Sequence, residues 1–170
     1  LDAGSGTGAP ACYLAKKYKE IKIEGINIVK PQIDKANELA SKLNVNDRIK
    51  FDYGNAQEIP FPNKHFENIY AIESAFHFED KKKFISESNR ILKSNGRISI
   101  ADIVIRTDYL KFRDWYKVSI AKHGLATKEF YTKEKWVKLL TNKGFKDVET
   151  VDITNNVSNV LPYWIDLINK

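Results

Sequence analysis

Apolar positions along the chain switch between two periods. Short alternating or continuous apolar runs are interleaved with stretches whose apolar residues return every three or four positions, the first spacing belonging to strands and the second to one face of a helix. Leu1-Asp2-Ala3 reads as the tail of a first strand, and Gly4 to Gly8 as a glycine-rich turn. Pro10 through Tyr18 reads as a helix with Ala11, Leu14, Ala15 and Tyr18 on one face, followed by a second strand from Ile21 to Asn27. Pro31 opens the next helix at a favoured first-turn position, with Ile33, Ala36, Leu39, Ala40 and Leu43 as its stripe. Ile49 to Tyr53 and Phe66 to Ile72 are a third and a fourth strand, separated by a loop that Pro60 and Pro62 keep irregular. Asp80 is a candidate N-cap for a helix bearing Phe84, Ile85, Ser88, Ile91 and Leu92, which Asn95-Gly96 would end. Arg97 to Ile105 is a nearly continuous apolar run, as in a central parallel strand.

After Arg106 the alternation pauses. Tyr109 to Lys122 looks helical and aromatic-rich. Thr132-Lys133-Glu134-Lys135 resembles a capping box opening a helix through Leu140, closed by Gly144-Phe145. Phe145 to Ile153 reads as a further strand and Leu161 to Ile168 as a final amphipathic helix. Strands alternating with helices predict an α/β fold around a parallel sheet.

The chain has 170 residues, suited to one domain. Its net charge of +6 lies largely in lysine clusters at Lys16-Lys17, Lys81-Lys82-Lys83 and Lys133 to Lys138. These alternate with acids at helical spacing, as on solvated helix faces, so nucleic acid is disfavoured as a partner. No apolar run of about 18 residues is present to span a membrane. Cys12 stands alone, so no internal disulfide can form, and no Cys/His cluster has the spacing of a metal site. A reducing compartment, the cytoplasm, is the expected location. The chain begins in what reads as a strand already under way and contains no methionine, so a further upstream segment is expected.

The strongest chemical signal is Leu1-Asp2-Ala3-Gly4-Ser5-Gly6-Thr7-Gly8. A strand runs into glycines and then a helix, whose N-terminus offers free N–H groups to a phosphate or a carboxylate. Gly4-x-Gly6-x-x-Ala9 also fits the dinucleotide pattern of oxidoreductases, and a plain tight turn is a third reading. Asp2 favours a different ligand, because a carboxylate at the end of the first strand can meet a cationic amino group.

This acid-x-Gly-x-Gly-x-Gly pattern resembles the first motif of class I S-adenosylmethionine-dependent methyltransferases. The remaining motifs of that family follow in order from Leu1 to about Ile105. Gly25-Ile26-Asn27-Ile28 resembles the second-strand segment that meets the ribose, with Asn27 where most members carry an acid. Gly54-Asn55-Ala56-Gln57 resembles the adenine-contacting segment, where the Asn55 carbonyl could accept from the adenine amino group. Ile59-Pro60-Phe61 with Phe66-Glu67, and Ile91 to Arg97, resemble two further passages of the family.

A narrower resemblance, to bacterial natural-product O-methyltransferases acting on sugars and polyketides, rests on Gly25 to Ile33 (with Gln32), Ala71-Ile72-Glu73-Ser74-Ala75-Phe76-His77 and Ile100-Ala101-Asp102. It implies His77 as candidate general base, with Asp102 as its orienting or stabilising partner. It also implies S-adenosylmethionine as cofactor, leaving as S-adenosylhomocysteine. The implied cofactor site comprises Asp2, Gly4, Ser5, Gly6, Gly8, Asn27, Ile28, Gln32, Asn55, Ala56, Gln57 and Glu73. The expected fold is a Rossmann-like doubly wound, mostly parallel sheet of first-half order 3-2-1-4-5 with a helical lid. One domain over 1–170 is expected: core 1–105, lid 106–131 and a helix-strand-helix over 132–170, truncated at the N-terminus and with a missing partner strand at the C-terminus. Phe76, Phe78, Tyr109, Phe112, Trp115 and Tyr116 are candidate pocket walls. The expected acceptor is a hydroxyl on a small metabolite, with N- or C-methylation and a nicotinamide-dependent oxidoreductase as alternatives. No metal is expected, and monomer and homodimer both remain open.

Overall fold

The computed structural model describes residues 1–106 and 127–157. Its strands are β1 (Asp2–Ala3), β2 (Ile23–Asn27), β3 (Ile49–Tyr53), β4 (Phe66–Ile72) and β5 (Leu92–Ala101). They are interleaved with α1 (Ala9–Lys17), α2 (Lys30–Lys42) and α3 (Lys81–Ile91). A 3-10 turn, Ala75–His77, follows β4, and α4 (Lys133–Asn142) and the short α5 (Thr154–Val157) lie beyond β5. The five strands pair in parallel in the order β3-β2-β1-β4-β5. The strand order therefore reverses between β1 and β4, and the crevice beyond their carboxyl ends is where sheets of this topology take ligands.

Two apolar layers cover the sheet. One packs Ala11, Cys12 and Ala15 of α1 and Ile33, Ala36 and Ala40 of α2 against Ile23, Ile49 and Phe51. Small residues at these helix positions let both helices press close to the strands. The other packs Phe84, Ile85 and Ile91 of α3 and Trp136 of α4 against Ile26, Ile69 and Ala71. Asp80 caps α3 by accepting the Lys83 N–H at 2.9 Å, and Thr132 caps α4 by accepting the Lys135 N–H at 3.1 Å, as the sequence predicts.

Several expectations are corrected. Asn95-Gly96 does not close α3; Leu92 is already extended and bridges Phe66, so the sheet captures the chain straight after Ile91. Asn95, at φ 65, lies instead in a register shift of β5 opposite Phe66 to Asn68. Among the described residues the β5 strand pairs only with β4 and so forms an edge, and its Arg97 and Ser99 are exposed. Regular pairing stops at Ala101, with Ile105 making an isolated bridge to Thr132. Phe145 to Ile153 is not a strand. Asp147 turns left-handed at φ 52, no described strand runs alongside, and Val151 is 81% exposed. Tyr18 caps α1 from an exposed position instead of joining its buried face, where Cys12 lies. Lys81 leaves the solvated face expected of its cluster: it joins Phe84, Ile85, Ser88 and Ile91 on the buried stripe of α3. The predicted helices Tyr109 to Lys122 and Leu161 to Ile168, most of the 106–131 lid, and the wall candidates Tyr109, Phe112, Trp115 and Tyr116 lie outside the described residues.

Phe84 is fully buried, so Phe84→Ala is expected to lower stability by about 3–5 kcal/mol through lost burial and a cavity. Urea unfolding followed by circular dichroism measures it.

Candidate active site

The β1 strand delivers its chain directly into the glycine turn. The Gly4 and Ser5 N–H groups both donate to the Ile26 carbonyl, at 2.9 and 3.0 Å, pinning the turn to β2. A Cβ on Gly4 would stand 2.6 Å from Ser74 Cβ, so only glycine fits there. Gly6 is different: at φ 53 it has nothing within 4 Å of where a Cβ would go. Its main chain faces open space, as a backbone approached by a ligand must. Gly8 precedes α1 without a side-chain cap, which leaves N–H groups of the first turn available to an anion.

Asp2 is buried at 3% exposure, and its Oδ2 has no hydrogen-bond partner among the described residues. Burial pushes its carboxyl up to about 7, against the pull of the neighbouring Tyr70 phenol. Tyr70 is the register partner of Asp2 on β4, and its hydroxyl is likewise without hydrogen-bond geometry. Ser5 Oγ shares that condition. A buried carboxylate lacking a partner is costly, and a cationic ligand group would relieve it.

On the β2–β3 side, Asn27 is engaged on both ends of its amide. Its Nδ2 donates to Gln32 Oε1 at 2.7 Å and to the Gly6 carbonyl at 3.4 Å. Its Oδ1 accepts the Ile28 and Val29 N–H groups at 2.8 and 3.4 Å. Asn27 thereby clasps the glycine turn to the start of α2. Ile28 is 60% exposed beyond β2, and Tyr53, paired with Asn27 at the end of β3, is 68% exposed. Asn55 Oδ1 turns into its own loop, accepting the Gln57 backbone N–H at 2.9 Å and Gln57 Nε2 at 3.3 Å. Gln57 Oε1 in turn accepts the Asp80 N–H, and Ala56 is buried beside them.

At the end of β4, Glu73 adopts φ 47 while its N–H donates to the Ala101 carbonyl at 2.8 Å. A left-handed non-glycine residue at a strand terminus is a strained feature of the kind that clusters at functional sites. Ser74 Oγ donates to the Ala3 carbonyl at 2.7 Å, tying this end to β1. His77 closes the 3-10 turn, exposed, with its ring 3.9 Å from that of Phe76. Asp102 follows β5 and accepts the Ile103 N–H at 3.2 Å, while its Oδ2 is buried without a partner. Burial pushes this carboxyl up to about 7, opposed by the Ile103 and Phe76 N–H groups and the Lys81 cation. The topology brings His77 and Asp102 to the same end of the sheet, but no hydrogen bond or ion pair joins them among the described residues. No group of His, Cys, Asp and Glu able to hold a metal ion occurs among the described residues.

Tyr53, Tyr70, Ser74, Lys81 and Thr127 were not among the predicted site residues. Tyr70 was within reach of the sequence, since the expected strand order sets β4 against β1. Thr127 was not: its hydroxyl donates to the Phe76 carbonyl across 51 positions.

An α/β domain with a glycine turn at its topological switch point defines a nucleotide-type ligand site. Residues 1–100 match the family described as "Methyltransferase domain", and the chain belongs to that family. It is 35% identical over 105 residues to the 27-O-demethylrifamycin SV methyltransferase of Amycolatopsis mediterranei, covering 62% of this chain and 38% of that protein. It is 29% identical over 172 residues to the erythromycin 3''-O-methyltransferase of Saccharopolyspora erythraea, covering 97% and 56%. Among solved structures it is similar to phosphoethanolamine N-methyltransferase 2 of Haemonchus contortus in complex with S-adenosyl-L-methionine, with a TM-score of 0.83 and 21% identity, over 99% of this chain and 38% of that one. The chain thus spans 38% to 56% of the length of these relatives. The oxidoreductase alternative is not favoured. No helix among the described residues is long and apolar enough to cross a membrane.

Asp2 titrates near 7 in the fold against an ordinary 3.8. Its cost is therefore absent below pH 4 and complete once the pH has risen through 7. Asp2→Asn is expected to be more stable than the parent at pH 8, by up to about 4 kcal/mol. The gain should vanish towards pH 4, as urea unfolding at the two pH values would measure.

Proposed function

We propose that this domain binds S-adenosylmethionine and directs its methyl group to a hydroxyl of a small metabolite or natural product in the cytoplasm. The observation that carries the reading is Asp2, a buried carboxylate with an unpartnered oxygen on the strand that leads into the open main chain of Gly6. These residues fit an amino-acid-bearing nucleoside. Asp2 answers its ammonium group, while the main chain from Gly4 to Gly8 and the start of α1 receive its carboxylate. Asn27 and Gln32 border the ribose, and Ile28 and Tyr53 offer apolar surface to the adenine, rimmed by Asn55 and Gln57 beside the buried Ala56. Glu73 completes the wall between the two halves of the site.

When bound, this cofactor supplies a methyl group made electrophilic by its sulfonium. Transfer is an in-line displacement, so the protein acts chiefly by holding acceptor oxygen and methyl in line and excluding water. His77, on the turn after β4, is the base that takes the hydroxyl proton. Its exposure gives that proton a route to solvent. Asp102, without a bond to His77, acts through its charge on the imidazolium that forms. The names of the rifamycin and erythromycin relatives, both methyltransferases and the second an O-methyltransferase, support a hydroxyl acceptor.

Calorimetric titration is expected to detect binding of S-adenosylmethionine and S-adenosylhomocysteine but not of NAD. Asp2→Ala should weaken binding of the first two by about 10- to 100-fold, the worth of a hydrogen bond to a charged group. Binding of NAD instead would overturn the cofactor assignment. Radiolabelled methyl transfer to a panel of hydroxylated small molecules and matched amines tests the acceptor. On hydroxyl acceptors His77→Ala should lower turnover by about 10²–10⁴-fold, the usual contribution of general-base catalysis, without weakening S-adenosylhomocysteine binding. Undiminished turnover would remove His77 as the base, and transfer confined to amines would shift the reading to N-methylation.

A further inference from the structure

A cation that the proposed chemistry does not use lies behind the His77 turn. Lys81, the first residue of α3, is only 3% exposed, a rare condition for a lysine. Its ammonium donates to the Phe76 carbonyl at 2.9 Å and to the Phe78 carbonyl at 3.0 Å, the carbonyls on either side of His77. It also stands 5.4 Å from the centre of the Tyr131 ring. Thr127 Oγ donates to the same Phe76 carbonyl. Within the turn, the His77 and Phe78 N–H groups return to the Ser74 and Ala75 carbonyls at 3.0 and 3.2 Å.

Burial lowers the proton affinity of this ammonium, while the charges of Asp102 and Glu129 raise it. A buried ammonium persists only where hydrogen bonds replace its water. Here the replacing acceptors include two main-chain carbonyls of the turn itself. The cation is satisfied only while the turn keeps its shape, and the turn keeps its shape around the cation.

We propose that Lys81 is a positioning residue, whose two bonds fix the backbone on both sides of His77 and hold the imidazole at the end of β4. The proposal rests on the reading of His77 as the base. Geometry of this kind matters because a misplacement of about 1 Å far from the reacting atoms can cost on the order of 100-fold in rate.

The chain has three histidines, so histidine-labelled protein gives three ring signals in nuclear magnetic resonance, with that of His77 identified by its loss in His77→Gln. In Lys81→Met the His77 signal is expected to shift and broaden while that of His65, at the opposite end of β4, stays in place. S-adenosylhomocysteine affinity, measured by calorimetry, should be unchanged. Lys81→Arg, which keeps the charge and two donors, should return the His77 signal towards that of the parent. An unmoved His77 signal in Lys81→Met overturns the proposal. Equal disturbance of the His65 signal, or loss of S-adenosylhomocysteine binding, overturns it in favour of a general structural role. Should Lys81→Met not fold, Lys81→Gln, whose amide has two N–H donors on a shorter stem and no charge, is read by the same criteria. The signal reports geometry rather than turnover, so the kinetics of His77→Ala test the base assignment separately.

Discussion

The main chain of Gly4 lies against Ser74 at a separation that no side chain at that position would allow. This close approach joins the carboxyl ends of β1 and β4, and the Ser74 hydroxyl reinforces it through the Ala3 carbonyl. The rest of the site depends on it. It fixes where the glycine turn leaves the sheet, how deep Asp2 lies, and where the strained Glu73 and the 3-10 turn bearing His77 begin. A side chain at Gly4 would part the two halves of the crevice before it met any ligand.

Asp2 illustrates how such a site costs stability. A neutral residue there would fold more comfortably at physiological pH, because the carboxylate is stripped of water and left with an unanswered oxygen. In the proposed function a ligand cation completes it. The same tension between comfort and use is common where proteins hold charge ready for binding.

Much of the frame was legible in the sequence. The β3 and β4 strands have the predicted bounds, and the caps at Asp80 and Thr132 form as their side chains suggest. These features are local, set by alternation and by one hydroxyl or carboxylate reaching its own helix. The misreadings share a different cause. Of the Arg97 to Ile105 run only Arg97 to Ala101 pairs regularly, and the Phe145 to Ile153 run alternates well enough for a strand without joining one, because a strand belongs to a pair and period alone does not count neighbours. Lys81 looked solvated because it stands in a run of three lysines, whereas its spacing from Phe84, Ile85 and Ser88 puts it on the buried stripe. The bonds that Asn27 and Asn55 make within their own loops were likewise not legible. Hydrogen bonds between side chain and distant backbone leave no mark in a linear pattern.

The passage from α3 to β5 has a consequence for how this stretch can vary. Helix and strand share a boundary at Ile91-Leu92 with no intervening loop, so the placing of Lys81 at the start of α3 and of Asp102 just past β5 depends on the register of both elements. A residue inserted in the helix would turn Lys81 by about 100°, away from its carbonyls. One inserted between Arg97 and Ala101 would flip Asp102 to the opposite face of the sheet. The register shift around Asn95 is where the described chain already tolerates unpaired length. Changes of length between Lys81 and Asp102 are therefore confined to residues 93–96, and an alignment of relatives should place its gaps there.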